Sequence, residues 1–283
     1  MICGEQFQLI LSEVSFHGDF NDGIFKDQIK SLNQNVLDIN TTDVSEVKKY
    51  KQIFVYSHYL DQFFQKFFNY LNDDTIIISH NSDDGVNLKY IKFLESKKIK
   101  KWFCQNKLID HKKLIALPIG TANSQWEHGN QKTLQKIRNE KNVKDNLVFK
   151  NFSIGTNTEE RSYCDKITLS NNMRMSPTTS NEDYWRSISK SAYAISPHGN
   201  GVDCHRIWEC LYLRTIPIVK YHTAFSQFLN LPILFVDDWK EVTIPFLREK
   251  LPDSMYKLNE KLNKDFKDIK ELDINYWKDL LLS

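Results

Sequence analysis

Apolar positions recur along this chain with two alternating periods. QFQLIL (6–11), IFVYSH (53–58), TIIISH (75–80), KKWFCQ (100–105) and LIALPI (114–119) are short apolar or β-branched runs of strand length. Between them, YLDQFFQKFFNYLN (59–72) and VNLKYIKFLESKK (86–98) carry their apolar residues at helical spacing. Strands apolar on both faces and separated by helices predict a parallel sheet covered on two sides. The first half therefore reads as a doubly wound α/β domain.

The pattern restarts after the polar stretch NEKNVKDN (139–146). NLVFKNFS (146–153) reads as a strand, TEERSYCDKITLS and NEDYWRSISKS as helices, and AYAISP, IPIVK and ILFVDD as further strands. A second α/β unit follows the first. The expected division is 1–142 for an N-terminal domain, 143–260 for a C-terminal domain, and 261–283 for a helix that crosses back to the first. The last stretch, from about 241, is amphipathic, with Phe246, Leu247, Leu251, Tyr256, Leu258, Leu262, Phe266, Trp277 and Leu281 on its apolar face. Two such domains in tandem predict strand ends facing each other across a cleft, where ligands of doubly wound folds sit.

Length and composition agree with this. The chain has 283 residues, enough for two domains, and its 41% hydrophobic and 26% charged content is that of a globular protein. A net charge of +2 with dispersed basic residues argues against nucleic acid as a partner. Five cysteines (Cys3, Cys104, Cys164, Cys204 and Cys210), odd in number and without CxxC spacing, read as reduced thiols. The start MICGEQFQLILSEV has no basic leader, and no apolar run reaches 18 residues. The expected location is cytoplasmic, or host cytoplasm for a viral chain, with no transmembrane segment.

The densest chemistry lies in AISPHGNGVDCHRIWECLYLRTIPIVK (194–220). A strand ends at Pro197, HGNG supplies two glycines, and a helix follows with Asp203 as its expected N-cap. Backbone amides at His198, Gly199, Asn200 and Gly201, with the positive end of the helix, would seat a diphosphate. A third glycine at dinucleotide-fingerprint spacing is missing. His205, Arg206 and Glu209 share one helix side. Glu209 lies roughly 7 to 9 Å along the helix from its start, a reach that suits the two hydroxyls of a ribose. The alternative is an intrahelical Arg206–Glu209 or His205–Glu209 pair without a ligand.

SPHGNGVDCHRIWECLYLRTIPIV (196–219) resembles the nucleotide-sugar signature of exostosin-like glycosyltransferases, the GT47 type, including viral and bacterial xylosyltransferase-like members. FCQNKLIDHKKLIALPIGTANSQWEHG (103–129) is similar to their first-domain block. The resemblance implies a GT-B fold, with two Rossmann-like domains, the acceptor on the first and the nucleotide sugar on the second. It also implies that Glu209 clamps the ribose, that Arg206 and the glycine loop neutralise the leaving diphosphate, and that His198 and His205 line the pocket. The chain departs from the pattern at Arg214, where a small residue, often Gly, is usual, and at His198.

Residues after the other strand ends complete the expected site. His80, Asn81, Asp83 and Asp84 follow TIIISH, and Asp83 or Asp84 is the candidate general base for an inverting displacement, unless they form an Asx turn. Asn123, Gln125, Trp126 and His128 follow LIALPI, a set suited to holding an acceptor sugar, with His128 a further candidate base. Arg161 and Arg174 are candidate phosphate ligands, and Asp237 or Asp238 could meet base or sugar. With no D-x-D, metal-independent chemistry without a cofactor is expected. The sequence reading is a transferase that moves a sugar from a UDP-sugar, with UDP-xylose as the leading donor, to a glycan or glycoprotein acceptor. The alternatives are a nucleotide- or glycan-binding module without catalysis and another GT-B sugar-processing enzyme.

Overall fold

A computed structural model describes residues 1–18, 35–140, 142–262 and 269–283 of the protein, the side chain of residue 262 excepted. The chain divides into two compact units. Residues 2–119 with 274–283 form the N-terminal unit, and residues 120–273 with Met1 form the C-terminal unit.

The N-terminal unit is built on a six-stranded sheet: β1 (Val14–His17), β2 (Val36–Asp38), β3 (Gln52–Tyr56), β4 (Thr75–His80), β5 (Ile99–Cys104) and β6 (Leu114–Ala116). The spatial order is β2-β1-β3-β4-β5-β6 and every pairing is parallel. The order reverses between β1 and β3, as a doubly wound sheet requires. All six residues of TIIISH are buried, which explains why its central Ile76–Ile78 run lacks the polar alternation of a half-exposed strand. Helix α2 (Leu60–Phe67) buries Leu60, Phe63, Phe64 and Phe67, one stripe at helical spacing. The expected helix over 86–98 is shorter, a single turn at Leu88–Tyr90 leading into α3 (Ile91–Glu95).

One expected strand is a helix. QFQLIL lies in α1 (Gly4–Leu11), which buries Phe7, Gln8 and Leu11 while Leu9 and Ile10 stay exposed. Burial at i, i+1 and i+4 is a helical face, and the mixed apolar and amide run concealed it. The last helix, α9 (Ile274–Leu282), packs against α1 within this unit, burying Trp277 and Leu281.

The C-terminal unit carries four parallel strands in sequence order: β7 (Asn146–Phe149), β8 (Ser191–Ile195), β9 (Ile216–Lys220) and β10 (Leu234–Val236). Four helices used below are α4 (Gln131–Asn139), α5 (Thr158–Ser170), α6 (Asn181–Ser189) and α7 (His205–Tyr212). The division falls at 119/120 rather than near 142, because Leu134 and Ile137 of α4 join the core formed by Phe149, Trp185, Ile188 and Cys210. Helix α8 (Ile244–Leu262) buries Leu247 and Leu258, whereas Tyr256, expected on the apolar face, is 70% exposed. Phe266 lies outside the described residues. No helix among them is long and apolar enough to cross a membrane.

The turn that ends α7 is a Schellman motif. Thr215 N–H donates to Cys210 O, Arg214 N–H donates to Leu211 O, and Arg214 adopts φ 57°. The position where the sequence departs from an expected glycine therefore has a glycine-like backbone.

Candidate functional site

The C-terminal unit holds a cavity of about 280 Å³ at the carboxyl end of its sheet. Cys204, His205, Arg206 and Glu209 line it from the start of α7, and Asn181, Tyr184 and Trp185 from the start of α6. Arg161 of α5 and His128 complete the wall. The helix starts differ. Asn157 caps α5 and Ser180 caps α6 through side-chain hydrogen bonds, but Cys204 at the start of α7 provides no side-chain cap. Uncapped first-turn N–H groups at a cavity favour an anion there.

Asp203 does not cap that helix. Its buried carboxylate accepts the indole N–H of Trp208 at 2.8 and 2.9 Å, and the helix begins one residue later than expected, with Cys204 at the N-cap position.

Two arginines dominate the electrostatics. Arg161, 7% exposed, donates from Nε to His198 O at 2.9 Å and from Nη1 to Ser153 O at 2.8 Å. Arg206 donates from Nε to the Tyr184 hydroxyl at 2.6 Å, and its buried Nη1 has no hydrogen-bond partner. Both guanidinium carbons lie 5.9 Å from the Phe152 ring centroid. Among the described residues neither arginine pairs with a carboxylate. Other cations of the same unit do: Lys150 with Asp165 at 2.7 Å, Lys220 with Glu160 at 3.6 Å, and Arg186 with Glu140 and Glu182. Buried charge without a counter-ion is costly, so this pair calls for an anionic ligand. Burial, and then Arg206, push the Arg161 pKa down.

Glu209 is 4% exposed, and burial raises its pKa to about 7, opposed by a hydrogen bond from Trp185 and by the charge of Arg206. The alternative of an intrahelical Arg206–Glu209 ion pair is not realised; the Arg206 Nε donates to Tyr184 instead. His128 has its pKa lowered, chiefly by desolvation, and its ring lies 6.2 Å from that of His205 and 6.1 Å from that of Trp126. His205 Nδ1 is 2.8 Å from Gly120 O.

The HGNG loop sits behind this cavity rather than in its wall. His198 is bound through Nε2 to Lys220 O at 2.9 Å. Gly199 N–H donates to Gly201 O at 3.0 Å, and Asn157 donates to Gly199 O at 2.9 Å. Asn200 is exposed. The loop's role toward the cavity is to hold Arg161: a Cβ on Gly199 would stand 3.0 Å from Arg161 Nη2.

Remaining expected residues are dispersed. Arg174 is exposed and does not line the cavity. Asn123 and Gln125 are half-buried and Trp126 is 46% exposed, all on the loop before His128. Asp238 caps a short helical turn in a capping box and accepts the Tyr163 hydroxyl, while Asp237 N–H donates to Glu241. In the N-terminal unit, His80 is buried, with Nδ1 3.0 Å from Asn81 Oδ1 and Nε2 3.0 Å from Pro118 O. Asn81 has φ 62°. Asp83 and Asp84 are exposed, and Asp84 N–H donates to Ser82 Oγ. Among the described residues no three His, Cys, Asp or Glu side chains cluster as a metal site would require.

Phe152, Tyr184 and Trp185 were not foreseen. Tyr184 and Trp185 form the aromatic pair in NEDYWRS, and Phe152 follows the β7 strand, but the contacts of Tyr184 and Phe152 with Arg206 span more than twenty residues in sequence.

No protein-family description and no curated protein sequence matches the chain. Solved structures do. A glycosyltransferase from Rickettsia africae superposes with a TM-score of 0.53 at 11% identity, covering 95% of this chain and 88% of its own. Anabaena HepE, in complex with UDP-glucose, superposes with a TM-score of 0.52 at 9% identity, covering 100% and 95%. This is a likeness of fold. The two parallel-sheet α/β units are Rossmann-like units of the GT-B type.

Proposed function

We propose that the protein is a nucleotide-sugar-dependent glycosyltransferase whose donor diphosphate binds at Arg161 and Arg206. The observation that carries the proposal is two guanidiniums lining one cavity, neither matched by a carboxylate, beside the uncapped start of α7. The two solved structures support it, since one is a glycosyltransferase and the other holds UDP-glucose.

In this reading the cavity takes the diphosphate and ribose, and Glu209 accepts the ribose hydroxyls in its ionised form. Charge on the diphosphate grows as the glycosidic bond breaks, so fixed guanidiniums stabilise the transition state more than the ground state. They supply the positive charge without a metal. His128 is neutral at pH 7 and can accept a proton, and exposed Asp83 and Asp84 remain candidate bases for an inverting displacement. UDP is the favoured nucleotide. Exostosin-like kinship and xylose as the transferred sugar are the finer parts of the proposal, and the acceptor is a glycan or glycoprotein hydroxyl.

A thermal-shift series with UDP, GDP, CDP and ADP, followed by UDP-glucose and UDP-xylose, tests the reading with and without EDTA. A rise in melting temperature with UDP that survives EDTA is expected, since a ligand bound only by the folded state stabilises it. No response to any nucleotide would refute the proposal.

A further inference from the structure

Arg206 is held in an unusual way for a half-buried charged side chain. Its Nε donates to a neutral hydroxyl, that of Tyr184, at 2.6 Å, and its guanidinium carbon lies 5.8 Å from the Tyr184 ring centroid. The Tyr184 ring is itself locked edge-on against Phe149 at 5.4 Å, on the last residue of β7. Arg161 follows the same rule, held by two backbone carbonyls. A carboxylate at either place would hold the guanidinium equally firmly but neutralise it. A hydroxyl and two carbonyls orient the groups and leave both charges for a ligand.

We infer that Tyr184 is a positioning residue, which fixes the Arg206 guanidinium through Nε and leaves its charge and Nη1 to the anion. The inference rests on the proposed diphosphate site. Phe152 alone would not orient Arg206, because an aromatic ring at 5.9 Å attracts the cation but does not set the orientation of the planar fork.

The test compares wild type, Tyr184→Phe, Arg206→Met and the double variant, using UDP and inorganic pyrophosphate in calorimetry and UDP-sugar turnover where the donor is found. Phenylalanine keeps the contact with Phe149, and circular dichroism melts verify folding; should Tyr184→Phe melt early, Tyr184→His, which can still accept from Nε, serves as the rescue. The expected result is about a tenfold or greater loss of pyrophosphate affinity or kcat in Tyr184→Phe, with no further loss when it is added to Arg206→Met. Tyr184→His should recover part of that loss. An equal loss in both backgrounds, or an unchanged affinity and kcat in Tyr184→Phe, would overturn the positioning role while leaving the diphosphate site standing. If wild type binds neither UDP nor pyrophosphate, the site reading and this inference fall together.

Discussion

Arg206 and Glu209 stand one turn apart on the same helix, yet Arg206 donates to the Tyr184 hydroxyl at 2.6 Å instead of pairing with Glu209. Helical spacing alone would pair them. The tyrosine keeps the guanidinium and the carboxyl separately available to a ligand.

Glu209 makes the stability depend on pH. Its folded pKa, about 7, is raised above the ordinary 4.5 by burial. The contribution it makes to stability is therefore complete below about pH 4.5 and is lost as pH rises through 7. Glu209→Gln should exceed wild type in denaturant stability at pH 8 by up to about 3 kcal/mol and match it near pH 5. The same substitution should abolish nucleoside diphosphate affinity gained through the ribose. An equal pH profile for the two proteins would contradict a buried, poised carboxyl.

Arg161 and Arg206 should separate structure from function. Arg161 satisfies the carbonyls of Ser153 and His198, so Arg161→Ala should lower stability by roughly 2 kcal/mol. Arg206→Ala removes an uncompensated charge and should change stability by less than about 1 kcal/mol while reducing turnover more than donor affinity. Urea unfolding beside steady-state kinetics distinguishes the two outcomes.

Gly199→Ala would place a methyl 3.0 Å from Arg161 Nη2. The guanidinium must shift, so anion affinity should fall several-fold while the melting temperature changes little. Unchanged pyrophosphate binding would show that Arg161 does not need its present place.

Arg214 should tolerate, and gain from, replacement by glycine. At φ 57° a side chain is strained, so Arg214→Gly should raise stability by about 1 kcal/mol in a denaturant titration.

The alternation of helices and strands was legible because central strands such as TIIISH are buried throughout, and a buried face leaves a run no surface position interrupts. QFQLIL was not, because six residues are too few to tell a helical stripe from a strand by period alone. Arg206, Glu209 and Arg161 were legible as charges packed near apolar strands. Asp203 was misread as a cap since Trp208, its actual partner, is a tertiary choice that no local rule selects. The loop HGNG was read as the anion seat because glycines suggest open amides, but Gly199 spends its own N–H on Gly201. Tyr184 and Phe152 reach Arg206 only through the fold, so their meeting leaves no mark in spacing.

Two like charges confined against one Phe152 ring also bear on the life of the protein without its ligand. Folding the empty molecule means holding those guanidiniums together, and any anion that enters relieves their repulsion. The filled form is then the more durable one, so on the proposed reading the supply of the nucleotide would set how long the chain survives unfolding and proteolysis.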